Sequence, residues 1–85
     1  MMDRVLVLKL VEQERDRQNQ KWGFPQNNHP FAWSSILMEE VGEFSQALND
    51  ALFSGNGNLT HALTEAIHVA AVAISIVEHL GGMHE

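Results

Sequence analysis

The chain contains no cysteine and no tyrosine, and only two prolines and six glycines among its 85 residues. The missing cysteines exclude disulfides, thiolate zinc sites and cysteine nucleophiles together, and they fit a reducing compartment, so a cytoplasmic location is the expectation. Few helix breakers and an apolar share of 45% describe a globular chain with long regular elements. Basic residues are also scarce, with five Lys and Arg against eleven Asp and Glu. The resulting net charge of −6 repels a phosphate backbone, so nucleic acid is not an expected partner. A nucleotide is still compatible, because a carboxylate-bound divalent cation reverses the local sign.

Long uninterrupted apolar runs are missing as well, and no stretch reads as a bilayer span, so no membrane partner is expected. Residues 1–10 are apolar, but Asp3, Arg4 and Lys9 interrupt them and no small-residue cleavage site follows, which argues against a signal peptide. At this length the chain fits one helical domain, residues 1–85, whose own core is small.

What is present is helical periodicity. The first helix is expected over residues 3–20, ended by a Gly-, Pro- and Asn-rich loop at 23–29. The second follows Pro30 and reaches Phe53, and residues 54–58 form a loop. The third covers residues 59–80 and stops at the Gly81-Gly82 pair. No segment reads as a strand. On helix one, Leu8, Val11, Arg15, Gln18 and Trp22 share a face that turns from apolar to polar. Helix two carries the stripe Leu37, Val41, Phe44, Leu48 and Leu52, flanked by Trp33, Ile36, Ala47 and Ala51. Helix three is apolar nearly all round between Ala66 and Val77, with His61, Glu65, His68, Ser75 and His79 on one face beside Val72. Such a helix must be sandwiched, and two short helices can hardly cover it. The expected architecture is therefore all-α: a bundle of three main helices per chain, completed in a dimer or larger oligomer, which the resemblance below narrows to a symmetric dimer or tetramer.

Three carboxylates, Glu39, Glu40 and Glu43, fall within five residues of helix two. At about 100° per residue, Glu40 and Glu43 project about 60° apart and can converge on one ion, whereas Glu39 points farther away. Glu40 shares the sector of Trp33, Ile36, Ala47 and Ala51, so partial burial is expected, and buried carboxylates need a cation, a proton or donors. Glu65 and His68 repeat the spacing on helix three. Antiparallel packing of the two helices would bring both pairs into one oxygen-rich site suited to magnesium or manganese. The plain structural alternative is that the acids are solvated surface charge and His68 a hydrogen-bonded interior histidine. His29, His61, His79 and His84 have no partner spacing and are assigned to surface or capping positions.

Glu39-Glu40-x-x-Glu43 followed some twenty residues later by Glu65-x-x-His68 resembles the Glu-Glu-x-x-Glu and Glu-x-x-Asp signature of the MazG-like all-α nucleotide pyrophosphohydrolases. Similarity extends to the run from Glu14 to Gly23 and to the run from His68 to Ala73, in the same order. The resemblance implies a helical fold associating as a homodimer or homotetramer and hydrolysis of nucleoside triphosphates to monophosphates and pyrophosphate. It implies Glu40, Glu43 and Glu65 as Mg2+ ligands, with His68 in the place of the family's ligand aspartate. Glu39, Glu40 and Glu43 are the implied catalytic carboxylates, Glu39 binding a further ion or orienting water. Arg15, Gln18 and Lys21 are candidates for phosphate or base contacts, and Trp22 or Trp33 for base stacking. An imidazole at His68 offers nitrogen and no charge where aspartate offers an anionic oxygen, which favours Mn2+ or transition ions over Mg2+. The short tail after Leu80 is a second departure from the family.

Overall fold

The computed structural model describes residues 1–24, 28–54 and 58–83, and these form three helices and no strand: α1 (Arg4–Trp22), α2 (Ala32–Phe53) and α3 (Thr60–Gly82). The expected loops at 23–29 and 54–58 fall partly, and His84 wholly, outside the described residues. Asp3 caps α1, its carboxylate accepting a hydrogen bond of 2.7 Å from the Val5 N–H. Gly23 ends α1 two residues later than expected, at a φ of 89° that side chains disfavour, and donates its N–H to the Asn19 carbonyl. Helix α2 begins just after Pro30, as expected. The Asn58 side chain accepts from the Thr60 N–H at the start of α3. At its other end α3 does not stop before the glycine pair: both glycines remain helical and Met83 bonds back to Leu80. Glycine weakens a helix without forbidding it, and the preceding turns carry the register through.

Helix α3 is the central element. It packs against α1 on one side and α2 on the other, and the backbones of α1 and α2 do not meet. Its contact with α2 is antiparallel. Trp33, early in α2, lies against His79, late in α3, with ring centroids 5.7 Å apart, and Glu40 reaches Glu65 and His68 nearer the middle.

The buried face of α2 is not the Leu37–Leu52 stripe but its flank: Trp33, Ala47 and Ala51 are buried, Leu37, Val41, Phe44 and Leu48 only partly so, and Leu52 is exposed. Alanines at 47 and 51 on the buried face of α2 admit a close approach to α3 that a row of leucines would prevent. On α3 the polar face turns inward. Glu65 and Ser75 are buried together with Ala62, Ala71 and Val72, whereas Leu63, Ile74, Val77 and Leu80 are exposed. Helix α1 answers with Val11, Glu14, Arg15 and Gln18 as its buried residues, while Leu8 and Trp22, at the two ends of its expected stripe, are exposed.

The described residues thus bury polar groups beside apolar ones and leave many large apolar side chains exposed, and the dimensions are those of an open arrangement. The accessible surface is 6267 Å2, against about 5,000 Å2 for a compact monomer of this mass. The radius of gyration is 14.3 Å, against about 12 Å for a compact chain of this length. One expectation is corrected here: α3, 23 residues long and containing an 18-residue window of mean hydropathy 1.5, is long and apolar enough to cross a membrane by length and composition. Counting uninterrupted apolar residues missed it, because alanines and single polar residues lower the window without removing its apolar character.

Candidate metal centre

Glu40 of α2 and Glu65 and His68 of α3 each present one ligand atom to a common point, these atoms all lying within 4.8 Å of one another. Helical spacing supplies the α3 pair, and the alanine seam brings α2 close enough to add Glu40. His61, one turn before Glu65, is exposed as expected but has a partner: its Nε2 is 3.1 Å from Glu65 Oε1. A carboxylate can only accept, so the imidazole N–H donates. That contact leaves Glu65 Oε2 for the interior. This oxygen and Glu40 Oε2 are buried and make no hydrogen bond, although His68 Nδ1 lies 3.3 Å from the first and 3.9 Å from the second. Buried acceptors without donors are costly, and two anionic oxygens turned on one point beside an imidazole nitrogen are what a divalent cation would satisfy.

The electrostatics point the same way. Burial pushes the Glu40 carboxyl above its ordinary value, and the charge of Glu43 adds to the rise. Glu43 itself is exposed and lies outside the converging set, and Glu39 is exposed on the rim of the neighbouring cavity. One step along α2 decides this: Glu40 faces α3, and its neighbours at 39 and 43 turn toward solvent.

That cavity, about 430 Å3, is lined by Gln18 and Trp22 of α1, Trp33, Ile36 and Glu40 of α2, and Val72 and Ser75 of α3, among others. Its volume is in the range of small-molecule sites. Of the residues expected at a substrate, Gln18 and Trp22 are on its wall. Lys21 stands beside it, its ammonium 4.9 Å from the Trp22 ring centroid. Arg15 is elsewhere: its guanidinium donates to Glu78 at 2.8 and 3.2 Å and to Asn19 at 3.0 Å, tying α1 to the far end of α3. Trp33 is buried packing, and its Nε1 has no partner.

Sequence reasoning passed over Glu14. It is buried, accepts 2.7 Å hydrogen bonds from Arg17 Nε and Nη2 and a 3.1 Å bond from Gln18, and approaches His68 Nε2 to 3.6 Å. The Arg17 hydrogen bonds hold its carboxyl below the usual value against the opposing pull of burial. The spacing Glu14, Arg17, Gln18 was a readable signal, since each donor lies three or four residues from the acid. Comparison of the chain with known protein families, curated proteins and solved structures finds no match.

Proposed function

We propose that this chain is a divalent-metal-dependent nucleotide pyrophosphohydrolase of the MazG-like kind, cleaving nucleoside triphosphates to monophosphates and pyrophosphate. The observation that carries the reading is the pair of buried, unpartnered oxygens of Glu40 and Glu65 turned toward His68, with Glu40 also on the wall of an aromatic-lined cavity. Glu40, Glu65 and His68 would hold the ion, Mg2+ or, given the imidazole, Mn2+. A bound divalent ion supplies charge neutralisation for a phosphate chain and acidifies a coordinated water. Glu43, whose charge already bears on Glu40, is the further carboxylate that the signature assigns to the ion, and Glu39, which lines the cavity, would bind a further ion or orient water. The exposed Trp22 ring offers a stacking face for a base. Arg15 is committed to Glu78, so Lys21 is the α1 cation at the rim for a phosphate. Cytoplasm is the compartment this reading implies.

The same reading includes association of copies of the chain as a homodimer or homotetramer. The protomer's surface of 6267 Å2 exceeds the compact-monomer value by about 1,200 Å2. A standard interface buries about 800 Å2 per partner.

The test is pyrophosphate release from a panel of nucleoside triphosphates with Mg2+ and then Mn2+, comparing the native chain with Glu40→Ala. Metal-dependent release that disappears in the variant is expected. Silence across the panel from a folded oligomer overturns the hydrolase. A second reading, a metal- and nucleotide-binding module without turnover, is favoured by His68 standing where the signature has aspartate. Substituting His68→Asp separates the two: a large gain in hydrolysis marks a weakened enzyme, and no gain marks a binder.

A further inference from the structure

An imidazole in place of a carboxylate creates a requirement that aspartate does not have. A neutral ring carries its proton on one nitrogen and its lone pair on the other, so a ligand histidine must be held in the right tautomer as well as the right position. In this chain the two nitrogens face different helices. Nδ1 looks toward Glu65 Oε2 and Glu40 Oε2, at 3.3 and 3.9 Å, and Nε2 looks toward Glu14 Oε2 of α1 at 3.6 Å. Glu14 is not among the converging ligand atoms. It is anchored from behind, its two carboxylate oxygens gripped by the Arg17 fork at 2.7 Å each and steadied by Gln18. A carboxylate held in this way is a fixed acceptor, with its own charge balanced by a guanidinium.

We propose that Glu14 is the positioning residue of the metal centre: it accepts the Nε2 proton of His68, which leaves the Nδ1 lone pair directed at the ion between Glu40 and Glu65. The inference rests on the metal-binding reading and explains how this chain uses histidine where the signature has aspartate. The run Arg17, Glu14, His68 then replaces the fixed anionic oxygen that the substitution removed. At 3.6 Å the Glu14–His68 pair stands just outside hydrogen-bonding distance, and the arrangement requires it to tighten when coordination at Nδ1 makes the Nε2 proton a stronger donor. A site of two carboxylates and one imidazole should also prefer Co2+ or Mn2+ to Mg2+.

The experiment titrates the full chain with Co2+, following calorimetric affinity and the visible absorption of the bound ion. Native chain, Glu14→Gln, Glu14→Asp, His68→Asp and the double variant Glu14→Gln/His68→Asp are compared. Glu14→Gln is expected to weaken Co2+ about 10- to 100-fold, as loss of an outer carboxylate on a ligand histidine does. Glu14→Asp should restore part of that loss. In the His68→Asp background, Glu14→Gln should change affinity less than about threefold, because the pair it served no longer exists. Equal losses in both backgrounds would mark a general charge effect and overturn the proposal, as would unchanged binding in Glu14→Gln. Nitrogen-15 imidazole shifts of His68 in the native chain with diamagnetic Zn2+ read the arrangement without any variant: a proton on Nε2 and the metal on Nδ1 support it, and the reverse overturns it. A native chain that binds neither Co2+ nor Zn2+ overturns the metal reading itself, an outcome distinct from metal bound normally without Glu14.

Discussion

The two seams of α3 are built from opposite materials. Toward α2 it meets the buried Trp33, Ala47 and Ala51, and toward α1 its His68 and Glu78 reach Glu14 and Arg15. The alanine seam gains dispersion and burial from close approach and needs nothing further. The polar seam must pair every group it removes from water. It does so at Arg15 with Glu78 and Asn19, and at Glu14 with Arg17 and Gln18. Where the two seams meet, at Glu40 and Glu65, pairing fails on one oxygen each. The scaffold seam positions the acids and the polar seam leaves them unsatisfied, which is how a small helical chain can hold open a site that an ion would complete.

The largest effect should come from breaking the scaffold seam. Trp33→Ala is expected to cost about 3–5 kcal/mol in chemical denaturation, as removal of a buried indole does. Trp33→Phe should cost less than about 1.5 kcal/mol, because the indole Nε1 has no partner to lose. A loss in Trp33→Phe as large as in Trp33→Ala would mean that the nitrogen carries a contact the seam depends on.

Completing the open point should come next in size. Mn2+ at one hundred times its Kd should stabilise the native fold by about 2.7 kcal/mol, seen as a rise in Tm. Glu40→Gln and Glu65→Gln should abolish the rise. Without metal, Glu40→Gln should be no less stable than the native chain, since it removes a charge that burial disfavours. A metal-induced rise that survives in both variants would move the ion elsewhere.

The two acids on either side of His68 should show opposite pH dependences. Glu40 titrates above its ordinary value of 4.5 in the folded chain, so the fold binds more protons there than the unfolded chain does. Metal-free stability therefore falls as pH rises from 4.5 through the folded value. Glu14 titrates below 4.5, so its contribution is complete above that pH and is lost as pH falls through its folded value. Equilibrium unfolding against pH should show Glu40→Gln flattening the first slope and Glu14→Gln the second. The same slope removed by both variants would contradict the opposite environments described here.

The smallest effect on chain stability is expected outside both seams. Leu52 is exposed on α2, and Leu52→Asp should change the stability of an isolated protomer by less than about 0.5 kcal/mol. In sedimentation it should nevertheless reduce the associated mass, if a second copy covers this face. An unchanged mass would show that this face carries no contact between copies.

The helices themselves were readable from the chain. Their number, approximate bounds and the lack of strands among the described residues follow from apolar periodicity and from Asp3, Gly23 and Pro30 acting locally. Glu65 and His68 were legible for the same reason, since a spacing of three is a property of the helix alone, and Glu40 from its sector beside Trp33, Ala47 and Ala51; the same spacing also selected Glu43, which faces solvent. Periodicity went wrong at the ends and at the choice of face. It marked Leu37 to Leu52 as the stripe of α2, whereas the flank with Trp33, Ala47 and Ala51 is the buried face and Leu52 is exposed.

What the sequence determined by itself is thus local: which segments are helical, and which side chains on one helix can act together, because both depend on spacing along a fixed spiral. What only the tertiary structure decided is which sector of each helix meets which neighbour. It directed Arg15 to Glu78 rather than to the cavity, brought Glu14 of α1 within reach of His68, and kept Glu40 inside while Glu39 and Glu43 face solvent. The physical reason is that a helix shows several sectors at once. Burial area, the small size of alanine and the need to pair buried charge select among them only when all three helices are in place.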